Sequence, residues 1–410
     1  MTELPDGWRE EALGDLAHGG LFVDGDWVET KDQDPTGGVR LTQLADVGVA
    51  GFRDRSDRWM RADQAAALNC TYLQPGDILV ARMPEPLGRA CLVPTGLGTA
   101  VTAVDVAVIR VARADVDPRY VMWALNGPSA REHMVQLQSG TTRKRISRKN
   151  LATVKLPMPP LNEQRRIVEI LEDHFSRLDA AERLLANCQQ RRESWQRVTL
   201  DGLVRETASG TTRLGALVER VEAGRSLGGS APPAGPDDWG IIKVSAMTWG
   251  EFRPHENKRI PADKADPRHE IRPGDVLVSR ANTTEYVGAP VYVEDTPQRL
   301  LLSDKSLRLV PKAGIDSRWL ASVLAARSTR AQVSGLATGT KDSMRNISQQ
   351  SLLSVTVPEA TPDQQTRVVQ RAREVEDSAR KLRNEIERAE LRGRALHRAL
   401  LGAAFSGQLT

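Results

Sequence analysis

Five basic residues, Arg143, Lys144, Arg145, Arg148 and Lys149, crowd together directly after Gly140-Thr141-Thr142. Guanidinium and ammonium groups at that density can neutralise successive phosphates, releasing counterions and making binding steeply salt-dependent. Charge runs of this kind also occur as plain solvated loops. A thinner basic stretch, Lys341 and Arg345, follows a second Gly339-Thr340 pair. Base reading needs different groups: arginine can bridge O6 and N7 of guanine, and asparagine or glutamine can bridge adenine. Arg82, Arg280, Asn282 and Thr283 lie just past two apolar runs, Ile78-Leu79-Val80 and Val276-Leu277-Val278, where a loop can enter a groove. The recurrence of Arg82 and Arg280 in both places favours a shared structural ion pair for them. Asn282, Thr283 and Thr284 stand against Met83, Pro84 and Glu85, and base-reading residues should differ in just this way. Trp8, Trp59, Trp239 and Trp249 suit core packing better than base stacking.

Motifs for catalysis are missing from the sequence. Met158-Pro159-Pro160-Leu161 lacks the Asn or Asp and the aromatic residue of an adenine-methyltransferase element. There is no Gly-x-x-x-x-Gly-Lys-Ser/Thr loop for ATP, and the six histidines form no metal-binding pair at helical spacing. Cys70, Cys91 and Cys188 have neither metal-ligand spacing nor an even count for a disulfide framework. No enzyme, cofactor or metal is expected. Net charge is only +4, so the case for nucleic acid has to be local rather than global. The Met1-to-Trp8 start has no apolar signal core, and no apolar run approaches spanning length, so a reducing cytoplasm is expected and a membrane is not.

The elements that must position these residues come next. Leu4 to Leu16 reads as an entry turn and a short helix ending near Gly19. From Val23 to Met158, short β-branched runs (Val39 to Leu44, Asp77 to Ala81, Val101 to Val111) predict a mixed α+β domain. Pro75-Gly76-Asp77 signals a tight turn, and Arg119 to Leu137 a helix. Leu156-Pro157-Met158-Pro159-Pro160 bars helix until a long one begins at Leu161. Along that helix Ile167, Leu171, Leu178, Ala181, Leu185, Cys188 and Trp195 recur at alternating spacings of four and three, a coiled-coil seam. His174 fills one of its gaps as a polar register-setter, and Arg192 fills the other by snorkelling or pairing.

The second half repeats the first at an offset of 198 to 201 residues. Ile271 to Arg280 nearly copies Leu73 to Arg82, and Asp316-Ser317-Arg318-Trp319 answers Asp117-Pro118-Arg119-Tyr120. Thr361-Pro362-Asp363-Gln364 opens a second long helix with a capping box. Its seam is Val368, Ala372, Val375, Ala379, Leu382, Ile386, Ala389, Gly393, Leu396 and Leu400, with Gly393 allowing close approach. The expected organisation is a domain at 1–158, a helix at 159–207, a second domain at 208–359 and a second helix at 360–410. Helices of this length run roughly 60 Å. Antiparallel pairing would hold two similar modules apart, which suits duplex DNA with two half-sites, about one helical turn or roughly 34 Å between centres.

With these residues in view, the chain resembles the DNA-specificity subunits of type I restriction-modification systems. The resemblance rests on Leu156-Pro-Met-Pro-Pro-Leu-Asn-Glu-Gln-Arg-Arg-Ile-Val168, on Gly140-Thr141-Thr142 and Ile146-Ser147, on the twice-used Pro-Gly-Asp strand, and on the duplication. It implies two target-recognition domains, each reading half of a bipartite DNA site. It also implies two methyltransferase subunits docked on the helices, and a restriction subunit with an ATP-dependent translocase in the full complex. Adenosylmethionine, magnesium and ATP would belong to those partners. The second copy departs from the pattern: Pro358 to Gln365 keeps the glutamine but loses the Glu163 equivalent, and Lys341 to Arg345 replaces the denser basic run. An orphan DNA-binding regulator and a protein-interaction scaffold remain the alternatives from composition and repeat alone.

Overall fold

A computed structural model describes residues 4–84, 86–140, 144–248, 250–339, 342 and 344–409. The chain divides into two compact units, Met1–Leu185 with Arg388–Thr410, and Ala186–Glu387. Two unbroken helices, Leu161–Glu206 and Pro362–Phe405, contribute to both, so each unit takes the beginning of one helix and the end of the other.

In the first unit a four-stranded antiparallel sheet runs Leu21–Asp24, Val106–Arg110, Ile78–Ala81, Ala90–Leu92. A three-stranded sheet places Val39–Thr42 between Trp59–Met60 and Ala100–Thr102. Arg9–Ala12 pairs with Lys155–Met158 in a separate ribbon. The second unit repeats all of this: Val218–Ala223, Ser306–Pro311, Val276–Ser279, Pro290–Tyr292; then Trp239–Ile242 between Asn257–Ile260 and Leu300–Leu301; then Gly210–Arg213 with Thr356–Glu359.

The Pro-Gly-Asp turns explain why the central strand starts where it does. Gly76 takes φ +88° and the Asp77 N–H donates to the Gln74 carbonyl (3.0 Å), a type II turn with proline leading. The Asp77 carboxylate, 1% exposed, accepts from the Gln74 N–H (2.8 Å) and from two nitrogens of Arg110 on the neighbouring strand (both 2.7 Å). Asp275 accepts likewise from the Arg272 N–H (2.9 Å) and forms an ion pair with Arg308 (Nε at 2.9 Å). At the strand's far end, Gly88 (φ +74°) and Gly288 (φ +70°) leave room for Met134 and Val333, which a Cβ would meet at 2.4 and 2.1 Å.

Several local expectations are corrected. The strand Arg9–Ala12 stands between the entry turn and the helix Leu13–Leu16, because Lys155–Met158 offers it a partner that the local sequence does not announce. Val101 to Val111 is two strands in two different sheets, divided at Asp105, whose φ is +76°. Arg119 to Leu137 is two helices, Pro118–Asn126 and Pro128–Gln136, because Pro128 forces Gly127 out of the helical region. The second copy breaks at Ala326 without a proline, and there the Arg327 N–H is capped by Asp201 of the long helix (2.9 Å). The second helix does open with the reciprocal cap: the Thr361 N–H donates to Gln364 Oε1 (2.7 Å) and the Gln364 N–H to Thr361 Oγ1 (3.4 Å).

Burial along the helices follows the domains rather than a uniform seam. Ile167 and Leu171 are buried and Leu178 and Leu185 partly so; Val368, Ala372, Ala379 and Ile386 are buried and Val375 partly so. Trp195, Leu382 and Leu396 are 44%, 45% and 48% exposed, short of Leu184 and Leu391 but far from buried. Phe175, not its neighbour His174, is the buried residue at that level; it stacks on Trp123 (4.7 Å) and meets His397 edge-on (4.4 Å). Arg192 is buried and pairs with Glu193 (3.2 Å). Gly393 makes no close approach, since a Cβ there would meet nothing within 4 Å.

The glutamine kept in both copies docks each domain onto its helix. Gln164, 2% exposed, accepts from the Asp117 N–H (2.8 Å) and donates to the carbonyls of Asp115 (3.0 Å) and Pro159 (2.9 Å). Gln365 does the same with the Asp316 N–H (2.8 Å) and the Ala360 carbonyl (3.0 Å). Gln164→Leu strands those backbone groups and should lower first-unit stability by about 2–3 kcal/mol, whereas Thr361→Ala, a lost cap, should cost about 1 kcal/mol; urea melts of the two variants check the ranking. Burial pushes the His397 imidazole below its ordinary 6.5. The unfolded chain therefore takes up the proton first, so stability should fall as pH drops below 6.5, and His397→Phe should flatten that decline in melts run across the range.

Candidate nucleic-acid interface

In each unit the basic loop is seated on the exit of the Pro-Gly-Asp strand by backbone hydrogen bonds. Ser139 and Arg145 exchange N–H···O bonds (2.8 and 2.9 Å), and the Ile146 N–H then donates to the Arg82 carbonyl (3.0 Å). In the second unit Thr338 and Asn346 make the same exchange (both 2.8 Å), and the Ile347 N–H donates to the Arg280 carbonyl (3.0 Å). Ala281–Asn282 further pairs with Arg345–Asn346. Buried Ile146 and Ile347 pin the returning chain, and Ser147 and Ser348 cap the short helices that follow.

The side chains on this common seat differ. In the first unit Arg82 is buried and its Nε faces Asp24 Oδ1 (3.3 Å). Arg148 shares Asp24 through Oδ2 (3.5 Å) and donates to the Phe22 carbonyl (2.8 Å). Lys144, Arg145 and Lys149 are exposed and have no carboxylate in ion-pair range among the described residues. In the second unit Ala223 occupies the strand position of Asp24, and half-buried Arg280 has no ion pair among the described residues. Asn282 Nδ2 reaches Ser279 Oγ (3.3 Å) and its Oδ1 accepts from the Thr283 N–H (2.8 Å), leaving Thr283 exposed beside it. Thr284 holds Asp342 through backbone and hydroxyl, each at 3.2 Å. Arg345 braces its own loop, donating to the carbonyls of Gly339 (3.2 Å) and Ala337. Arg143 and Lys341 lie outside the described residues.

The structure thus gathers Arg82, Arg145 and Arg148 in one unit and Arg280, Asn282, Thr283 and Arg345 in the other, and separates fixed arginines from free ones. Asp24 was missed in the sequence because its partner is distant in the chain; an acid ending an apolar strand run was the available clue. Among the described residues no group of His, Cys, Asp and Glu could hold a metal ion, and no helix is long and apolar enough to cross a membrane. Losing a partly buried ion pair, Arg82→Ala should destabilise the first unit by about 1–2 kcal/mol. Arg280→Ala should change stability by less than about 0.5 kcal/mol, a contrast that paired denaturant melts measure directly.

A family model described as the type I restriction modification DNA specificity domain matches residues 5–187. The type I restriction enzyme EcoEI specificity subunit of Escherichia coli is 32% identical over 148 residues, covering 35% of this chain; the match spans only 25% of that relative's length. Among solved structures, a chain from a study of complex assembly and conformational transition of the type I R-M system aligns over 99% of both chains, with a TM-score of 0.74 and 20% identity. The HsdS subunit from Thermoanaerobacter tengcongensis aligns over 99% of this chain and 98% of its own, with a TM-score of 0.53 and 19% identity. At such identities the structural likeness speaks to the fold alone. Residues 5–187 are similar to the type I restriction modification DNA specificity domain, and the motifs of that half recur in the second half of the chain.

Proposed function

We propose that this chain is the non-catalytic reading subunit of a type I restriction-modification complex, and that each unit reads one half of a bipartite, interrupted duplex site. The observation that carries the reading is the seat built twice from the same backbone hydrogen bonds and dressed with different side chains. A shared scaffold with different groups is what two different half-sites require, since phosphate contacts position a protein and base contacts specify the sequence. Lys144, Arg145, Lys149 and, by sequence, Arg143 and Lys341 serve the phosphates; Arg280, Asn282 and Thr283 reach towards bases. Arg82 serves as structure. Arg148 and Arg345 divide their donors between the fold and the duplex.

In this reading the recognition domains are 1–158 and 208–359, and 159–207 and 360–410 are the spacer helices. Exposed Trp195, Leu382 and Leu396 on those helices give two methyltransferase subunits an apolar surface to dock on. Restriction subunits with an ATP-dependent translocase join in the full complex, which acts on cytoplasmic DNA. Adenine methylation is mapped across a genome in cells carrying the partner methyltransferase with and without this chain. A methylated two-part motif that appears only with the chain is the expected result. A stable complex that adds no methylated motif would overturn the reading.

A further inference from the structure

A second basic element of the first unit lies outside the loop at 140–149. The chain at 50–58 forms a projecting arm with two non-glycine residues in the left-handed region, Ala50 (φ +60°) and Asp54 (φ +45°). Such conformations are strained for residues that carry a Cβ and persist only where the surroundings over-determine them. Here the determinant is Asp46, which has no exposed surface. Its carboxylate accepts from the N–H groups of Gln43 (2.7 Å), Arg55 (2.6 Å) and Ser56 (2.7 Å) and from the Ser56 hydroxyl, while its carbonyl accepts from the Arg53 N–H (2.7 Å). Asp54 is tied back to Arg40 (2.7 Å). The arm is rigid for a surface loop.

What the arm presents is cationic. Arg53, Arg55 and Arg58 are exposed, and none has a carboxylate in ion-pair range among the described residues; Arg58 donates only to Gln33 Oε1 (3.2 Å). The acids nearest in sequence are committed elsewhere, Asp46 to the backbone, Asp54 to Arg40, and exposed Asp57 to the Trp59 Nε1–H (3.1 Å). The arm's base is also stapled to the strand exit described above. Arg89, 5% exposed, donates to the carbonyls of Val47 (2.6 Å) and Leu44 (2.8 Å) on one side, and of Pro86 (3.0 Å) and Met83 (3.4 Å) on the other. A buried guanidinium whose partners among the described residues are carbonyls fixes the arm relative to the loop that leaves Arg82.

The second unit keeps one backbone hydrogen bond of the arm and changes its chemistry. The Arg253 N–H donates to the Ala246 carbonyl (3.0 Å), as Arg53 does to Asp46, but Ala246 supplies no carboxylate. Glu256 with Ser245 Oγ (2.8 Å) organises that turn, Arg253 pairs with Glu251 (2.9 Å), and Ala289 stands where Arg89 would be. A surface turn kept at the same place in both copies while its charged groups change is the pattern of a ligand-facing part, not of a core.

We infer that the arm carrying Arg53, Arg55 and Arg58 is a second duplex-backbone contact of the first unit, positioned by Asp46 and Arg89. The inference rests on the proposed DNA-reading function. The test is the salt dependence of binding to a mixed-sequence duplex, by fluorescence anisotropy on the full chain. The wild type is compared with Arg53→Gln/Arg55→Gln and with Arg53→Lys/Arg55→Lys; melts confirm that all three fold equally well. Each phosphate contact contributes roughly 0.9 to the log–log slope, so the glutamine pair should flatten it by roughly 1.8 while the lysine pair keeps it. An unchanged slope in the glutamine pair, with the wild type binding normally, overturns the arm and leaves the reading function standing. A wild type that shows no salt-dependent duplex binding overturns both.

Discussion

A carboxylate at the foot of the central strand, buried Asp77 in one unit and half-buried Asp275 in the other, organises each unit's sheet. Asp77 closes its own turn and clamps Arg110 on the adjacent strand, and Asp275 does the same with Arg308. Removing one partner from such a pair leaves a charge without compensation in the interior, at a cost of about 3–5 kcal/mol. The interaction fixes where the strand begins and therefore where, four residues later, it ends. Arg82 and Arg280 emerge at that end, and the basic loop is hydrogen-bonded to their carbonyls. The position of the candidate interface follows from a pair of charges at the other end of the strand.

The same economy links domain and helix. Gln164 and Gln365 each join the chain before the domain's first helix to the opening of a long helix. Trp123 and Phe175 add a stacked contact in the first unit, and Tyr120 meets Phe405 edge-on at 5.6 Å. Where no domain covers them, apolar helix residues stay exposed, and Leu184, Trp195 and Leu391 are examples. An apolar stripe that the chain itself does not cover is the physical form a docking surface takes.

Duplication lets the two copies serve as controls for each other. Features kept in both, such as the turn carboxylates, the docking glutamines and the glycines at 88 and 288, are explained by the fold alone. Features that diverge lie at the seat and the arm. Asp24 gives way to Ala223, Arg89 to Ala289, and the dense basic run to a sparser one. On the proposed reading, divergence between the two copies marks the residues that face the duplex.

The sequence by itself determined the duplication, the α+β character of each half, the two long helices, the type II turns and the cap at Thr361, because each is written in spacing or in residues close together in the chain. It also placed the basic loop and the residues past the strand in view as ligand-facing candidates. Only the tertiary structure decided which of those arginines are free. Arg82 is bound to Asp24, 58 positions away, and Arg280 has no such partner among the described residues, a difference set by pairings that local spacing does not encode. The split of Val101 to Val111 between two sheets, the replacement of His174 by Phe175 in the core, and the anchoring of the 50–58 arm on Asp46 were likewise settled by long-range packing and hydrogen bonding, which form only when distant segments meet.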